Sequence, residues 1–253
     1  MKIFKHPGSG FAAAFNQGKK WNLFFQGSTS PGGSSISSQS LFDLASLTKV
    51  VATLPVCLVL LKKGELDLNK KIKFYISNAG WFQEPSIGDV EIAALFNHTS
   101  GLPAWKPLFS ISKDPSVLKA NVLQTPLSGI GSRSYSDLGW ILLGHLVERI
   151  TQSRLDTLAN QLIFEPLGMK NTCFNPLETY QKTQCVATED CGWRKQLLQG
   201  IVHDENAYAL GGVAGHAGLF STLDDLTLYL DAWLENLEML DLEKEAKMVF
   251  NSK

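Results

Sequence analysis

Cysteine is scarce in this sequence. Cys57, Cys173, Cys185 and Cys191 are scattered over 253 positions, too few and too far apart for a disulfide scaffold or a tight zinc-binding pair. A bridge between Cys185 and Cys191 is open in an oxidising compartment, and free thiols are expected in a reducing one. An excess of charge is also lacking. Twenty-three basic residues against 24 acidic ones leave a net charge of −1, which supplies no field for nucleic acid or an anionic membrane surface. No run of 18 or more residues is wholly apolar, and the first ten positions hold Lys2, Lys5, His6 and Pro7 where a signal peptide would be apolar. As written, the chain is expected in the cytoplasm, or in the periplasm if its true start lies upstream.

What is present is an apolar fraction of 44 %, enough for a sizeable core in a chain of this length. Gly10 to Phe15 and Lys20 to Gln26 read as two strands joined at Asn16-Gln17-Gly18. Strand signals after that are few. Leu138, Ile141, Leu142, His145, Leu146 and Arg149 mark one helix, and Leu226, Tyr229, Leu230, Trp233 and Leu237 another. A lone hairpin is marginal unless it packs on helices or gains strands. The chain is therefore a fragment, a borrower of strands from a partner, or a trimmed fold.

The most telling stretch is Ser46-Leu47-Thr48-Lys49, which opens the apolar run Val50 to Leu61. Side chains at i and i+3 share a helix face, so the Lys amine reaches the Ser hydroxyl. A Ser at a helix start also lies among backbone N–H groups that favour negative charge on an attacked carbonyl oxygen. The same spacing recurs at Ser110/Lys113, which precedes Asp114-Pro115, and at Ser116/Lys119, in a short helix capped by Asp114 whose sequence is too mixed for deep burial. Only Ser46 leads into a core helix. Pro55 in that helix removes a hydrogen bond and predicts a kink near Val51.

Elsewhere, Gly27 to Ser40 reads as a flexible connection to the nucleophile helix. His98 sits in the turn chemistry of Asn97 to Pro103 and is expected to tie that turn by a hydrogen bond, while His145 reads as a packing or interface residue. Trp105, Trp140 and Trp193 either line a cleft or fill the core.

Phe42-Asp43-Leu44-Ala45-Ser46-Leu47-Thr48-Lys49 resembles the nucleophile segment of the penicillin-recognising serine hydrolases, in the branch of class C β-lactamases, D,D-carboxypeptidases and related esterases. Leu61 to Leu68, Phe96 to Pro103, Tyr135-Ser136-Asp137-Leu138-Gly139, Glu165 to Met169 and Gly218 to Thr222 with Asp225-Leu226 follow in that family's order. The resemblance spans roughly residues 38 to 235, and the ordered set is far more specific than any one motif.

The resemblance implies an α+β, β-lactamase/transpeptidase-like fold: an antiparallel sheet flanked by helices, with an all-helical subregion. One domain over 1–253 is expected, with a sheet-side part from 1–62 and about 200–253 and a mostly helical part from about 65–200. It also implies that Ser46 is the acylated nucleophile, Lys49 its base and Tyr135 the phenol that shuttles a proton to the leaving group. Asp137 stands where Asn is common, a change expected to alter contacts with a substrate amide. The strand that carries a third Lys-Thr-Gly or His-Xaa-Gly motif has no evident copy, so the C-terminal strands of the sheet are expected to be missing. Gly215-His216-Ala217-Gly218 is a glycine-rich loop near the site, with His216 either facing the substrate or supporting the loop.

The implied function is a serine hydrolase acting on an ester, a β-lactam or a D-amino-acid-containing peptide through an acyl-enzyme, and the chemistry needs no cofactor and no metal. The alternative is a relative that binds a peptide or partner without turnover. The expected partner is a small-molecule or peptide substrate rather than nucleic acid, with an oligomer or a strand-supplying partner as a further expectation.

Overall fold

The computed structural model describes residues 10–18, 20–76, 86–235 and 237–251. Strands β1 (Gly10–Gln17) and β2 (Lys20–Gly27) form an antiparallel hairpin whose register runs from Gly10 opposite Gly27 to Gln17 opposite Lys20. Asn16 and Gln17, expected in the turn, continue β1, because Gly18 takes the left-handed conformation (φ +60°) that a tight connection requires. The hairpin gains a helix for support, since the Trp21 indole donates to Asp231 Oδ1 at 2.9 Å.

The segment Gly27 to Ser40, expected to be a flexible connection, is not a loose linker. Thr29 N–H bonds Ser34 O, Ile36 N–H bonds Gly27 O, and Ile36 and Leu41 are buried. Next comes β3 (Phe42–Asp43), which leads into a 310 turn at Ala45–Leu47, a π-helical turn at Lys49–Thr53 and helix α1 (Leu54–Lys62). The run 45–62 has the length and apolarity of a membrane span by composition, yet 61 % of it is buried inside the fold.

The helices that follow are α2 (Ile72–Tyr75), α3 (Ile92–Phe96), α4 (Pro115–Leu123), α5 (Asp137–Thr151), α6 (Leu155–Ala159) and α7 (Glu165–Leu167). Asp114 caps α4 by accepting from Ser116 N–H at 2.8 Å, with Pro115 in the first turn. Contrary to the expectation of shallow burial, α4 sends Leu118, Val122 and Leu123 into the core. Its mixed sequence has no clear apolar stripe, and packing decides which apolar residues are buried, since Val117 beside them stays exposed.

Strands β4 (Cys173–Phe174), β5 (Ala187–Cys191) and β6 (Gln196–Gln199) fall within the stretch expected to be mostly helical. They precede α8 (Glu205–Ala209), β7 (Leu219–Ser221), α9 (Leu223–Leu234) and α10 (Glu243–Asn251). Strand β7 lies between β3 and β4 in a three-stranded antiparallel sheet, with Phe42 opposite Ser221 and Cys173 opposite Phe220. Leu44 N–H also bonds Leu219 O at 2.9 Å. This small sheet fixes the point at which the chain turns into Ser46. All four cysteines are free thiols.

Candidate active site

The chain changes direction sharply just before Ser46. Ala45 sits in the left-handed region at φ +45°, a conformation that costs an L-residue about 1–2 kcal/mol, and its N–H is held by Asp43 Oδ1 at 2.8 Å. Asp43 Oδ2 in turn accepts the His203 N–H at 2.7 Å. Burial raises the Asp43 carboxyl above its usual range, although these N–H donors oppose the shift. The result is an exposed Ser46 at the start of a buried helix.

Pro55 acts as expected at this helix, but the outcome is a wider turn. Leu54 N–H reaches back to Lys49 O, five residues away, in the π geometry that absorbs irregularity and recurs at functional sites. Val50 O has no N–H to accept from Pro55, and the Tyr229 hydroxyl of α9 donates to it instead. Burial raises the Tyr229 phenol strongly and keeps it a donor.

Lys49 has a side chain only 4 % exposed. Its Nζ lies 2.9 Å from Ser46 Oγ, 2.7 Å from Asp137 Oδ1 and 3.1 Å from the backbone oxygen of His216. The Tyr135 ring covers the amine, with Nζ 5.0 Å from its centroid. Of the three Ser/Lys spacings in the sequence, this one is brought together. Lys119 instead bonds Glu148 at 2.6 Å, and Ser110 ends a short 310 turn and bonds Pro107 O at 2.8 Å.

Asp137 is the first residue of α5, whose cap Ser136 accepts from Gly139 N–H and donates to Pro103 O at 2.7 Å. Asp137 N–H is taken by Ala104 O at 2.9 Å. The carboxylate points at Lys49, and this ion pair is what Asp brings to a position where Asn is common. His98 ties its turn, as its setting implied: Nδ1 accepts the Ser136 N–H at 2.9 Å, and its carbonyl accepts from Ser134 N–H. The ring stacks on Tyr135 at 4.6 Å. Burial, then the positive charges of Lys49 and Arg133, lower its pKa and keep the imidazole neutral.

The His216 ring is 1 % exposed, with Nε2 2.8 Å from Asp204 Oδ1. It is the His216 carbonyl, not the ring, that touches Lys49. The loop reaches that place because Gly144 of α5 and Gly215 meet backbone to backbone: a Cβ on Gly215 would lie 2.1 Å from Trp140 O. Thr53 Oγ1 also donates to Gly215 O at 2.8 Å. Asp204, which caps α8 through Ala207 N–H, was not singled out in the sequence, where it looks like any helix-capping acid. Burial acts to raise its carboxyl, but the His216 bond and charge, the Ala207 N–H and the Lys49 charge outweigh it and lower the pKa.

A lysine buried between a serine hydroxyl and the acid that opens α5 points to one ancestry, and comparison agrees. The Beta-lactamase family model matches residues 4–252. The chain belongs to the beta-lactamase family. Within that family it is 33 % identical over 226 residues to an N-acetylmuramyl-L-alanine amidase of Bacillus subtilis, covering 78 % of this chain and 50 % of the relative. It is 34 % identical over 251 residues to a putative D-alanyl-D-alanine carboxypeptidase of Salmonella enteritidis, covering 85 % and 57 %. The chain thus spans about half the length of the curated relatives it matches.

Solved structures share the fold at lower identity. A class C beta lactamase from Rhodobacter sphaeroides superposes with a TM-score of 0.72 at 19 % identity, over 91 % of this chain and 62 % of that one. An octameric penicillin-binding protein homologue from Pyrococcus abyssi gives 0.75 at 18 %, over 95 % and 55 %. The β-lactamase/transpeptidase-like α+β fold expected from the motifs is the fold observed.

Proposed function

We propose that this chain carries the nucleophile centre of a serine hydrolase that cleaves an amide or ester bond in a D-amino-acid-containing peptide through an acyl-enzyme on Ser46. The observation that carries this reading is the 2.9 Å contact between Lys49 Nζ and Ser46 Oγ inside a buried, three-acceptor pocket. An ammonium has three N–H donors. Ser46 Oγ, Asp137 Oδ1 and His216 O supply three acceptors, so the pocket is complementary to Lys49 after it has taken the serine proton. Stabilising that form lowers the barrier to attack rather than merely binding substrate.

In the proposed reaction the Lys49 amine acts in its neutral form, its ion pair with Asp137 having first released a proton to solvent; Ser46 Oγ attacks the scissile carbonyl carbon and its proton passes to Lys49, which restores the pair. The oxygen of the tetrahedral intermediate is met by the Ser46 N–H at the start of the 310 turn. Tyr135 relays a proton from Lys49 to the departing amine or alkoxide as the C–N or C–O bond breaks. Water, deprotonated along the same path, then adds to the ester on Ser46 and frees the acid. The relatives named for amidase and D-alanyl-D-alanine carboxypeptidase activity support a peptide-like acyl donor.

The test is intact-mass spectrometry after incubation with a fluorophosphonate and, separately, with a penicillin. One adduct mapping to Ser46, lost in Ser46→Ala with the fold retained, is the expected result. A folded chain that forms no adduct would favour a relative that binds without turnover, and persistent labelling of Ser46→Ala would overturn the assignment of the nucleophile.

A further inference from the structure

The three tryptophans singled out in the sequence divide cleanly. Trp140 is 5 % exposed and belongs to the core, whereas Trp105 and Trp193 are 46 % and 52 % exposed. The two exposed indoles are ends of a connected row. Trp105 meets Phe109 at 6.3 Å, Phe109 meets Trp193 at 4.9 Å and 62°, and Trp193 meets Tyr208 edge-on at 6.2 Å and 86°. The Arg194 guanidinium lies 5.2 Å from the Trp193 ring and 4.4 Å from the Tyr208 ring.

This row is held in place from behind. Arg194 donates to Val202 O at 2.6 Å and His203 O at 2.8 Å. The Asn206 side chain accepts the Phe109 N–H at 3.1 Å and donates to Lys106 O at 2.9 Å. Rings fixed before any ligand arrives lose little entropy on binding, and contiguous exposed apolar surface is where ligand and partner sites are found. The row is linked along the chain to residues of the candidate active site at both ends. Trp105 follows Ala104, whose carbonyl holds Asp137 N–H, and Tyr208 lies on α8, whose cap Asp204 holds His216.

The openness of the row selects its occupant. A wholly apolar group gains most from an enclosed slot, and these rings are half in water. Their rim is polar, with His203 Nε2 and Glu189 Oε2 paired at 3.3 Å and both side chains about half exposed. A pyranose ring matches that setting: its faces carry C–H groups that pack on an indole, and its hydroxyl edge stays hydrated or bonds a polar rim. We propose that Trp105, Trp193 and Tyr208 form a sugar-binding wall that takes a pyranose ring carried by the substrate. This inference rests on the hydrolase reading for its role, but sugar binding can be measured without turnover.

The test uses the full chain with 15N-labelled tryptophan, titrated with tri-N-acetylchitotriose while the indole N–H signals are followed by NMR. The Trp105 and Trp193 signals are expected to move in a saturable way and the Trp140 signal to stay. Trp193→Ala, a change at the exposed tip of the β5–β6 hairpin, is expected to weaken the response at Trp105 about fivefold to tenfold. No movement with the sugar, or equal movement with N-acetylphenylalanine amide, would overturn the proposal. Ser46→Ala is expected to keep the sugar response while losing fluorophosphonate labelling. A wall that binds sugar in a chain that is never labelled would retain this inference and remove the hydrolase reading, and the reverse pattern would remove this one.

Discussion

Asp137 and Lys49 meet at 2.7 Å across the join between two motifs 88 positions apart in the chain, with the lysine buried and the acid mostly so. The pair sets the local charge balance: an ammonium in this place needs a carboxylate, and the carboxylate oxygen has no exposure of its own to water. Removing one partner of such a pair leaves an uncompensated buried charge and typically costs about 3–5 kcal/mol. Asp137→Ala is therefore expected to lower unfolding free energy in urea by about 3 kcal/mol and to slow fluorophosphonate labelling at least tenfold. Asp137→Asn, which keeps an acceptor at the same place, is expected to lose less of both. A loss below about 1 kcal/mol for the alanine variant would show that the pair contributes little.

Gly215 makes a second prediction, about position rather than charge. Its missing side chain lets the loop lie against α5, with the space for a Cβ already filled by Trp140 O at 2.1 Å and Gly144 N at 2.9 Å. Gly215→Ala must push the loop off the helix, and the next residue is His216, whose carbonyl holds Lys49. Labelling of Ser46 is expected to fall by about tenfold or more while circular dichroism keeps its helical signal. Labelling at the native rate would mean that the His216 carbonyl is dispensable.

The parts of this site that were legible in the sequence are those set by short-range geometry. Ser46 and Lys49 share one turn of one helix, and the turn tied by His98 was readable from its residue types. Asp204 was not, because its partner His216 is twelve positions away and a helix cap is sufficient reason for an Asp there. Strands β3, β4 and β7 are two or three residues long, too short for any alternation to show, and exist only through pairing with each other. The Gly27 to Ser40 segment misled for a related reason: its Ser and Gly content suggests a loose connection, while its order comes from bonds to itself and from Ile36 entering the core, just ahead of buried Leu41. Pro55 predicted a disturbance near Val51 but not its repair, which comes from Tyr229, 179 residues away from Val50.

That repair is testable by itself. Tyr229→Phe keeps the ring and deletes the hydroxyl, leaving Val50 O without the donor that replaces the absent Pro55 N–H. Val50 itself is 40 % exposed and the bond is partly buried, so the cost of leaving this acceptor unpaired lies toward the low end of the about 1–3 kcal/mol of a fully buried one. Urea unfolding is expected to show a loss in that range, with labelling of Ser46 slowed modestly because the π turn that aims Lys49 loses its anchor. If stability is unchanged, water reaches Val50 O and the tyrosine is not needed there.

His145 gives the pH dependence a definite sign. Burial, followed by the charges of Lys119 and Arg149, lowers its pKa from 6.5 to about 4, and its buried Nδ1 has no partner among the described residues. Glu148, the nearby acid, is occupied by Lys119 at 2.6 Å. Between pH 6.5 and 4 the unfolded chain binds a proton at this position that the folded chain refuses, so stability falls as pH is lowered through that window. The full effect of a shift this large is at most about 3 kcal/mol. His145→Gln has no such proton to bind. Comparing unfolding free energies at pH 7.5 and pH 4.5, the native chain is expected to lose more stability than the variant does, by about 1–3 kcal/mol. Equal losses in the two proteins would show that the imidazole accepts its proton in place, and that the acid sensitivity of the fold lies with its carboxylates.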